Sequence, residues 1–423
     1  MDGVRARGRG GSPARARAGE VPGPGGGRVS GPVKTDGAWV REALERLTGF
    51  PHAVFVQSGT AALELVLRLL GRRGWRVALP GLTCWTNPHA VRKVGLRPVF
   101  CDVDEYWGLR PPREPVEVVL GVDPWGGAGN WTVGGKERLR IGDATQSPGA
   151  RVGGALLAER FDAAILSFGV GKPISLGGGG VALFSDERAA VEARRHLQFG
   201  FWDGRWALHT DRYVFPQALY PLLAERLRRA LVELPRARRA LPGERAALTR
   251  LLPHLAPPPL RPGTEPGLFS MTPLILQRGA ALTPADLEAA AIVSGVPLVR
   301  HPVSAPYLEA VWRGPRPDRP LRRVESLSPR LLFFEGRGPK PRRALARFLS
   351  LVLGAPERFR RPYSLGEAAP LPEHVRHWAE RGTVCRSASG ELFVVDRALA
   401  RAFPVPEAIA AEVQRHEWSP HGR

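Results

Sequence analysis

Between residues 53 and 190, short apolar runs alternate with segments of helical period, which restricts the chain to a few layered folds. The runs 53–56, 76–79, 97–103, 116–122, 139–141 and 163–166 read as strands, and 60–70 and 88–94 as helices. Strands separated by helices pair in parallel, because the crossover returns the chain to the same end of the sheet. The expected fold class is therefore α/β: a mostly parallel sheet sandwiched by helices, with a smaller C-terminal α+β domain. Ligands of such sheets gather beyond the carboxyl ends of the strands. Thr60, Asp143 and Ser167 each follow or close a strand and are expected to converge there.

The rest of the chain divides by composition. Residues 1–33 are mostly Gly, Arg, Pro and Ala, too poor in apolar surface to offset the entropy of ordering, and are expected to be a disordered tail. A large domain is expected over 34–252, opening on an amphipathic helix near Gly37 and closing on an arginine-rich helical stretch, 205–252. The prolines of 253–262 read as a linker into a small domain, 253–360, with strand-like runs at 269–276 and 296–299 around a helix at 284–293. Residues 361–423 form an extension to which no function is attached, with a strand at 390–396 and a helix at 406–417.

Composition removes several function classes. Cys84, Cys101 and Cys385 show no paired spacing, which argues against a zinc site or a disulfide framework and suits a reducing cytoplasm. No apolar run approaches the roughly 20 residues that span a bilayer, and the basic N-terminus has no apolar segment behind it like that of a secretory signal. The net charge of +21 raises the question of nucleic acid. The excess sits in 1–28 and in arginine-dense helices such as 226–239, without interleaved aromatics, so nucleic acid is not the expected partner.

Lysine occurs only at Lys34, Lys93, Lys136, Lys172 and Lys340 in a chain that otherwise uses arginine for its cations. Lys172 stands between a strand and the run Gly177-Gly178-Gly179-Gly180. A guanidinium stays protonated in proteins, whereas a lysine amine can lose its proton and attack a carbonyl. Upstream lie Gly142-Asp143-Ala144-Thr145-Gln146, with an acid at a strand end, and Gln57-Ser58-Gly59-Thr60-Ala61, a small-residue turn opening a helix. Phosphate cradle, acid, lysine is the order of a pyridoxal phosphate site.

With these pieces in order, the chain resembles the DegT/DnrJ/EryC1/StrS family of aminotransferases, which have the aspartate aminotransferase fold (fold type I). The likeness runs over about residues 40–205, through Ser58-Gly59-Thr60-Ala61-Ala62-Leu63, Pro80 to Trp85, Gly95 to Asp104, Asp143 to Gln146 and Ser167 to Lys172. The resemblance implies that Lys172 holds pyridoxal 5'-phosphate through an imine and shuttles the proton; a surface lysine on a glycine loop is the plain alternative. It implies that Asp143 pairs with the pyridine nitrogen, that Gln146 lies near the ring, and that Gly59, Thr60, Ala61 and Ser167 bind the phosphate. Helix caps and loop residues of the same types are common, so each of these has an ordinary structural rival. An aromatic side chain stacks on the cofactor in this family. Strict spacing from Pro80 gives Cys84, and a one-residue shift gives Trp85, which is favoured as the better platform.

The family pattern is broken at two places. Gly177 to Gly180 replaces a usual Gly-Glu-Gly-Gly, and Thr210-Asp211-Arg212-Tyr213 lacks the asparagine usual in an Asn-Tyr-Arg stretch. The implied activity is transfer of an amino group from an amino-acid donor to a keto group on a nucleotide-linked sugar, by a cytoplasmic homodimer. A lyase, dehydratase or desulfurase sharing the cofactor, and a non-catalytic binding or regulatory module, are the alternatives; Lys172 argues against the dehydratase, which the resemblance implies would usually carry histidine there, and the placement of Cys84, Cys101 and Cys385 argues against the desulfurase.

Overall fold

A computed structural model describes residues 36–354, apart from 130–136, 198, 203–204, 209–218, 253, 281, 294–295, 301–302, 309–311 and 337–338, together with strands at 384–386, 392–396 and 401–405. The first half of the chain supplies α1 (Asp36–Thr48), β1 (His52–Val56), α2 (Gly59–Leu70), β2 (Arg76–Pro80), the two-residue β3 (Thr83–Cys84), α3 (Thr86–Lys93), β4 (Arg97–Cys101) and β5 (Val118–Val122). It continues with β6 (Leu139–Asp143), β7 (Arg151–Val152), the single-turn α4 (Leu157–Arg160), β8 (Ala163–Ser167), β9 (Gly180–Phe184) and α5 (Glu187–Leu197). Seven of these strands form one sheet in the order β1-β9-β8-β6-β5-β2-β4. β8, β6, β5, β2 and β4 pair in parallel, and β9 runs antiparallel to both of its neighbours, β1 and β8. The architecture is the expected one, a mostly parallel sheet between helices.

Successive strand residues face opposite sides of a pleated sheet. Val54, Val56, Val77, Leu79, Val118, Leu120, Ile141 and Ile165 pack on one face with α2 (Ala62, Leu65, Val66), α3 and α5. Ala53, Phe55, Ala78, Val119, Ala164 and Leu166 pack on the other with α1 (Val40, Leu44, Leu47) and with α6 (Tyr220–Leu251). Both faces are thus dry, which is why these strands read as continuous apolar runs rather than alternating ones.

Between α5 and α6, β10 (Phe199–Trp202) and β11 (Arg205–Leu208) pair as an antiparallel hairpin. Residues 205–208 are therefore strand rather than the start of the long helix expected from sequence. Pro235 and Pro242 lie inside α6, and Arg245 on its buried side donates to the carbonyl oxygens of Pro258 and Trp125 at 2.5 and 2.9 Å. Part of the proline-rich stretch is ordered in a sheet: β12 (Leu255–Ala256) pairs with β14 (Thr272–Leu276), and β13 (Thr264–Glu265) pairs with β7. Then come α7 (Pro284–Val293), β15 (Leu298–Val299), β16 (Val303–Ser304), α8 (Arg322–Leu327), β17 (Leu331–Phe334) and α9 (Pro339–Gly354).

The second sheet, β12-β14-β17-β15, is antiparallel and has its own core, in which Leu274, Leu298, Leu332 and Phe334 meet Leu287 of α7 and Leu345, Phe348 and Val352 of α9. β18 (Val384–Arg386), β19 (Leu392–Asp396) and β20 (Arg401–Val405) form a separate three-stranded sheet. Among the described residues no helix is long and apolar enough to cross a membrane, and no group of His, Cys, Asp and Glu is arranged to hold a metal ion. The tail 1–33, Thr210 to Tyr213 and the helix expected at 406–417 lie outside the described residues.

Candidate functional site

The helix α2 begins where β1 ends. Ser58 is its N-cap, with extended backbone and a hydroxyl that accepts from Ala61 N at 3.1 Å. First-turn N–H groups of a helix have no acceptor within it, and the helix dipole makes that end favourable to anions. Gly59 lets this turn lie against the end of β8, since a Cβ there would stand 2.6 Å from the Cβ of Ser167. Gly180, opening β9, is tighter still: its Cβ would meet the carbonyl carbon of Ser58 at 2.4 Å.

After Ser167 the chain makes a compact loop. Phe168 N donates to Gly179 O at 2.9 Å, Leu176 N to Phe168 O at 2.7 Å, and Lys172 N to Gly169 O at 3.3 Å. Ser270 Oγ, just before β14, donates to Gly171 O at 2.6 Å. Lys172 sits at the turn of this loop and its side chain borders a cavity of about 200 Å³.

That cavity gathers most of the residues singled out from sequence. Gly59, Thr60, Asp143, Gln146, Ser167 and Lys172 all line it. Asp143 closes β6 and is buried; its Oδ2 accepts from Asn87 Nδ2 at 3.0 Å and its Oδ1 from Thr145 N at 3.1 Å. Neither partner is a cation. Gln146 is buried, and its Oε1 has no hydrogen-bond partner in the structure. Ser167 Oγ accepts from Gly169 N at 3.3 Å and keeps its own proton for another acceptor.

Two of the expected residues are placed elsewhere. Ala61 is buried in the sheet-facing side of α2, and its N–H is taken by Ser58. Trp85, the N-cap of α3, has 46% of its surface exposed and lines a neighbouring open recess with Glu64, His89, Arg92 and Lys93. The position in the cavity wall is Cys84, the residue that strict spacing indicated, held because β3 pairs Cys84 with Val303 of β16.

Four further wall residues were not read from sequence. Asn87 sits in the first turn of α3, buried, with Thr83 Oγ1 at 3.1 Å as the second acceptor of its amide. Trp107 and Trp125 stand edge to face at 5.6 Å. Trp107 is the one non-glycine residue among those described with positive φ, 64°. Asp123 follows β5 as Asp143 closes β6, so the same signal, an acid at the end of an apolar strand, could have found it. It is buried and held by Arg160, with Nη2 to Oδ2 at 2.8 Å and Nη1 to Oδ1 at 3.2 Å.

Residues 38–114 match the model of the DegT/DnrJ/EryC1/StrS aminotransferase family. Over those residues the chain is similar to the DegT/DnrJ/EryC1/StrS aminotransferases. Over 227 residues it is 29% identical to a dTDP-3-amino-3,4,6-trideoxy-alpha-D-glucose transaminase of Micromonospora megalomicea subsp. nigra, covering 50% of this chain and 59% of that protein. Over 163 residues it is 31% identical to a dTDP-4-dehydro-2,3,6-trideoxy-D-glucose 4-aminotransferase of Saccharopolyspora spinosa, covering 35% and 42%. The chain thus spans about half the length of the curated relatives it matches. The crystal structure of 3-amino-5-hydroxybenzoic acid synthase superposes with a TM-score of 0.64 at 22% identity, over 75% of this chain and 91% of that one, a likeness of fold.

Proposed function

We propose that this protein is a pyridoxal phosphate-dependent aminotransferase that moves an amino group from an amino-acid donor to a keto group on a nucleotide-linked sugar. The observation that carries the reading is the single cavity joining Thr60, Asp143, Gln146, Ser167 and Lys172, contributed by three segments of the chain: the start of α2, the end of β6, and the end of β8 with the loop after it. The donor set suits the cofactor. Two hydroxyls and a helix N-terminus suit a phosphate, an uncompensated buried carboxylate suits a pyridinium, and the orphaned Gln146 Oε1 awaits a donor. Bound there, the cofactor would supply an electron-withdrawing ring that stabilises charge on the substrate carbon.

The chain's own residues do the rest. Lys172 Nζ is the amine that would hold the cofactor and, once released, would move the proton between the substrate carbon and the cofactor carbon. Asp143 is fixed by Asn87 and Thr145 N, so its carboxylate would be held ready for the ring nitrogen without searching for a rotamer. Trp107 and Trp125 close the wall beside it with apolar surface, excluding water from the reacting atoms. The sugar acceptor rests on the relatives, whose names specify dTDP-linked sugars. Sites of this fold are completed by a second subunit, and we propose a homodimer on that ground; sedimentation of the purified protein as monomer at micromolar concentration contradicts it.

The test is a visible spectrum with added pyridoxal phosphate. A yellow band is expected in the wild type, absent in Lys172→Ala, and bleached by glutamate or another amino donor. A band indifferent to Lys172, or one that no amino donor bleaches, refutes the aminotransferase reading.

A further inference from the structure

The cavity contains two buried carboxylates, and among the described residues only one of them is hydrogen-bonded to a cation. β5 and β6 pair in parallel with Val122 opposite Asp143, so Asp123 lies one residue beyond that row, and its N–H donates to Asp143 O at 2.9 Å. Both side chains line the same wall. Asp143 receives only neutral donors. Asp123 receives both terminal nitrogens of Arg160 and, at 3.1 Å, the N–H of Gly129. Arg160 reaches it from outside the cavity, and the side chains of Arg160 and Asp123 are 11% and 2% exposed.

The approach of Arg160 is built into the backbone. It is the last residue of α4, whose first turn is fixed by Glu159 Oε2 accepting from Leu156 N at 2.6 Å. The next residue, Phe161, packs its ring on Gly142, where a Cβ would meet that ring at 2.7 Å. The glycine preceding Asp143 thus leaves room for the aromatic that seats Arg160. A surface arginine would need none of this.

We infer that Arg160 is a positioning residue that cancels the charge of Asp123, leaving Asp143 as the one carboxylate in the cavity free to hold a cation. Two like charges on neighbouring strand ends in a dry site repel each other and compete for one cationic partner. The bidentate guanidinium removes Asp123 from that competition, and does so from behind the wall, where it cannot itself meet a substrate. Among the described residues, the other titratable groups lining the cavity with Asp123 are Asp143 of β6, Lys172 and Cys84; Arg245 of α6 donates to Trp125 O of the same loop.

This inference rests on the cofactor reading above, and a charge cycle separates the two. The pH midpoint of the Lys172-dependent visible band is measured in wild type, R160Q, D123N and R160Q/D123N, each checked by melting temperature. R160Q exposes an uncompensated anion, which favours the protonated cofactor, so the midpoint rises by about one unit. D123N leaves an unpaired cation and the midpoint falls by a similar amount. The double variant returns to within about half a unit of wild type. R160K, which keeps the charge without the fork, stays near the wild-type midpoint even where it melts lower. A purely structural role would move stability without these opposite shifts. R160Q and D123N midpoints that coincide with wild type, or a double variant that fails to return, overturn the inference while leaving the cofactor reading intact. If R160Q does not fold, D123N and the double variant decide it alone. A wild type that forms no Lys172-dependent band overturns both.

Discussion

Replacing Gly180 with alanine should damage the anion end of the site from behind. The added methyl would lie 2.4 Å from Ser58 C, 2.5 Å from Ser58 O and 2.6 Å from Gly59 N, all backbone atoms. None can rotate away, so the turn opening α2 has to retreat by about 1 Å to reach ordinary contact. Overpacking of this kind costs about 1–3 kcal/mol in stability. The same displacement moves Gly59 and Thr60 away from Ser167, and an error of that size at a binding constellation costs on the order of tenfold or more in affinity. Gly178→Ala is the control. Gly178 has open space around its Cβ direction and no positive φ, so alanine there is tolerated and, by stiffening the unfolded chain, adds about 0.4–1 kcal/mol. Denaturant titration and equilibrium dialysis with pyridoxal phosphate read both effects. A G180A protein with wild-type stability and cofactor affinity, or a G178A protein as damaged as G180A, would show that the close approach of β9 to α2 does not shape the cradle.

Asn87→Ala removes a hydrogen bond to a buried carboxylate, a contact worth about 1.5–3 kcal/mol, and should lower both melting temperature and cofactor affinity. Asn87→Asp, which sets a second carboxylate about 3 Å from Asp143, should be worse than alanine by both measures. Burial pushes the Cys101 thiol up to about 12, so it stays protonated at pH 8–10 in the folded protein. Mass spectrometry after brief iodoacetamide treatment at pH 8.5 should find Cys84 alkylated and Cys101 unmodified, with pyridoxal phosphate protecting Cys84. Rapid native alkylation of Cys101 would contradict the packing of β4.

The sheet was legible because its strands are dry on both faces. A run such as Val116 to Val122 needs no partner to be recognised, and β5, β6 and β8 lie within two residues of where their apolar character places them. Lys172, Asp143 and Thr60 were legible for a related reason: parallel strands deliver their carboxyl ends to one edge, so the residues that follow must meet. Asn87 was not, because its role depends on a contact 56 positions along the chain, and nothing local distinguishes it from any polar residue at a helix start. Trp85 misled because its chemistry is attractive while its position is fixed by the β3–β16 pairing, which turns Cys84 to the cavity. The strands at 199–202 and 205–208 pair with each other but were hidden by the arginine-rich helical pattern that follows them, and the strand at 255–256 was hidden among prolines because its partner in β14 lies beyond the linker.

The reversed strand β9 also fixes an order of events during synthesis. β1 has β9 as its sheet partner, with His52 opposite Phe184, a pairing across about 130 residues of chain. Until Phe184 has left the ribosome, β1 has no edge to join, and the turn at Ser58-Gly59 cannot be pressed into shape by Gly180. Lys172 has by then already emerged. The nascent polypeptide therefore carries Lys172 before the turn that opens α2 has β9 to pack against, and the two walls of the cavity come together in the step that inserts β9.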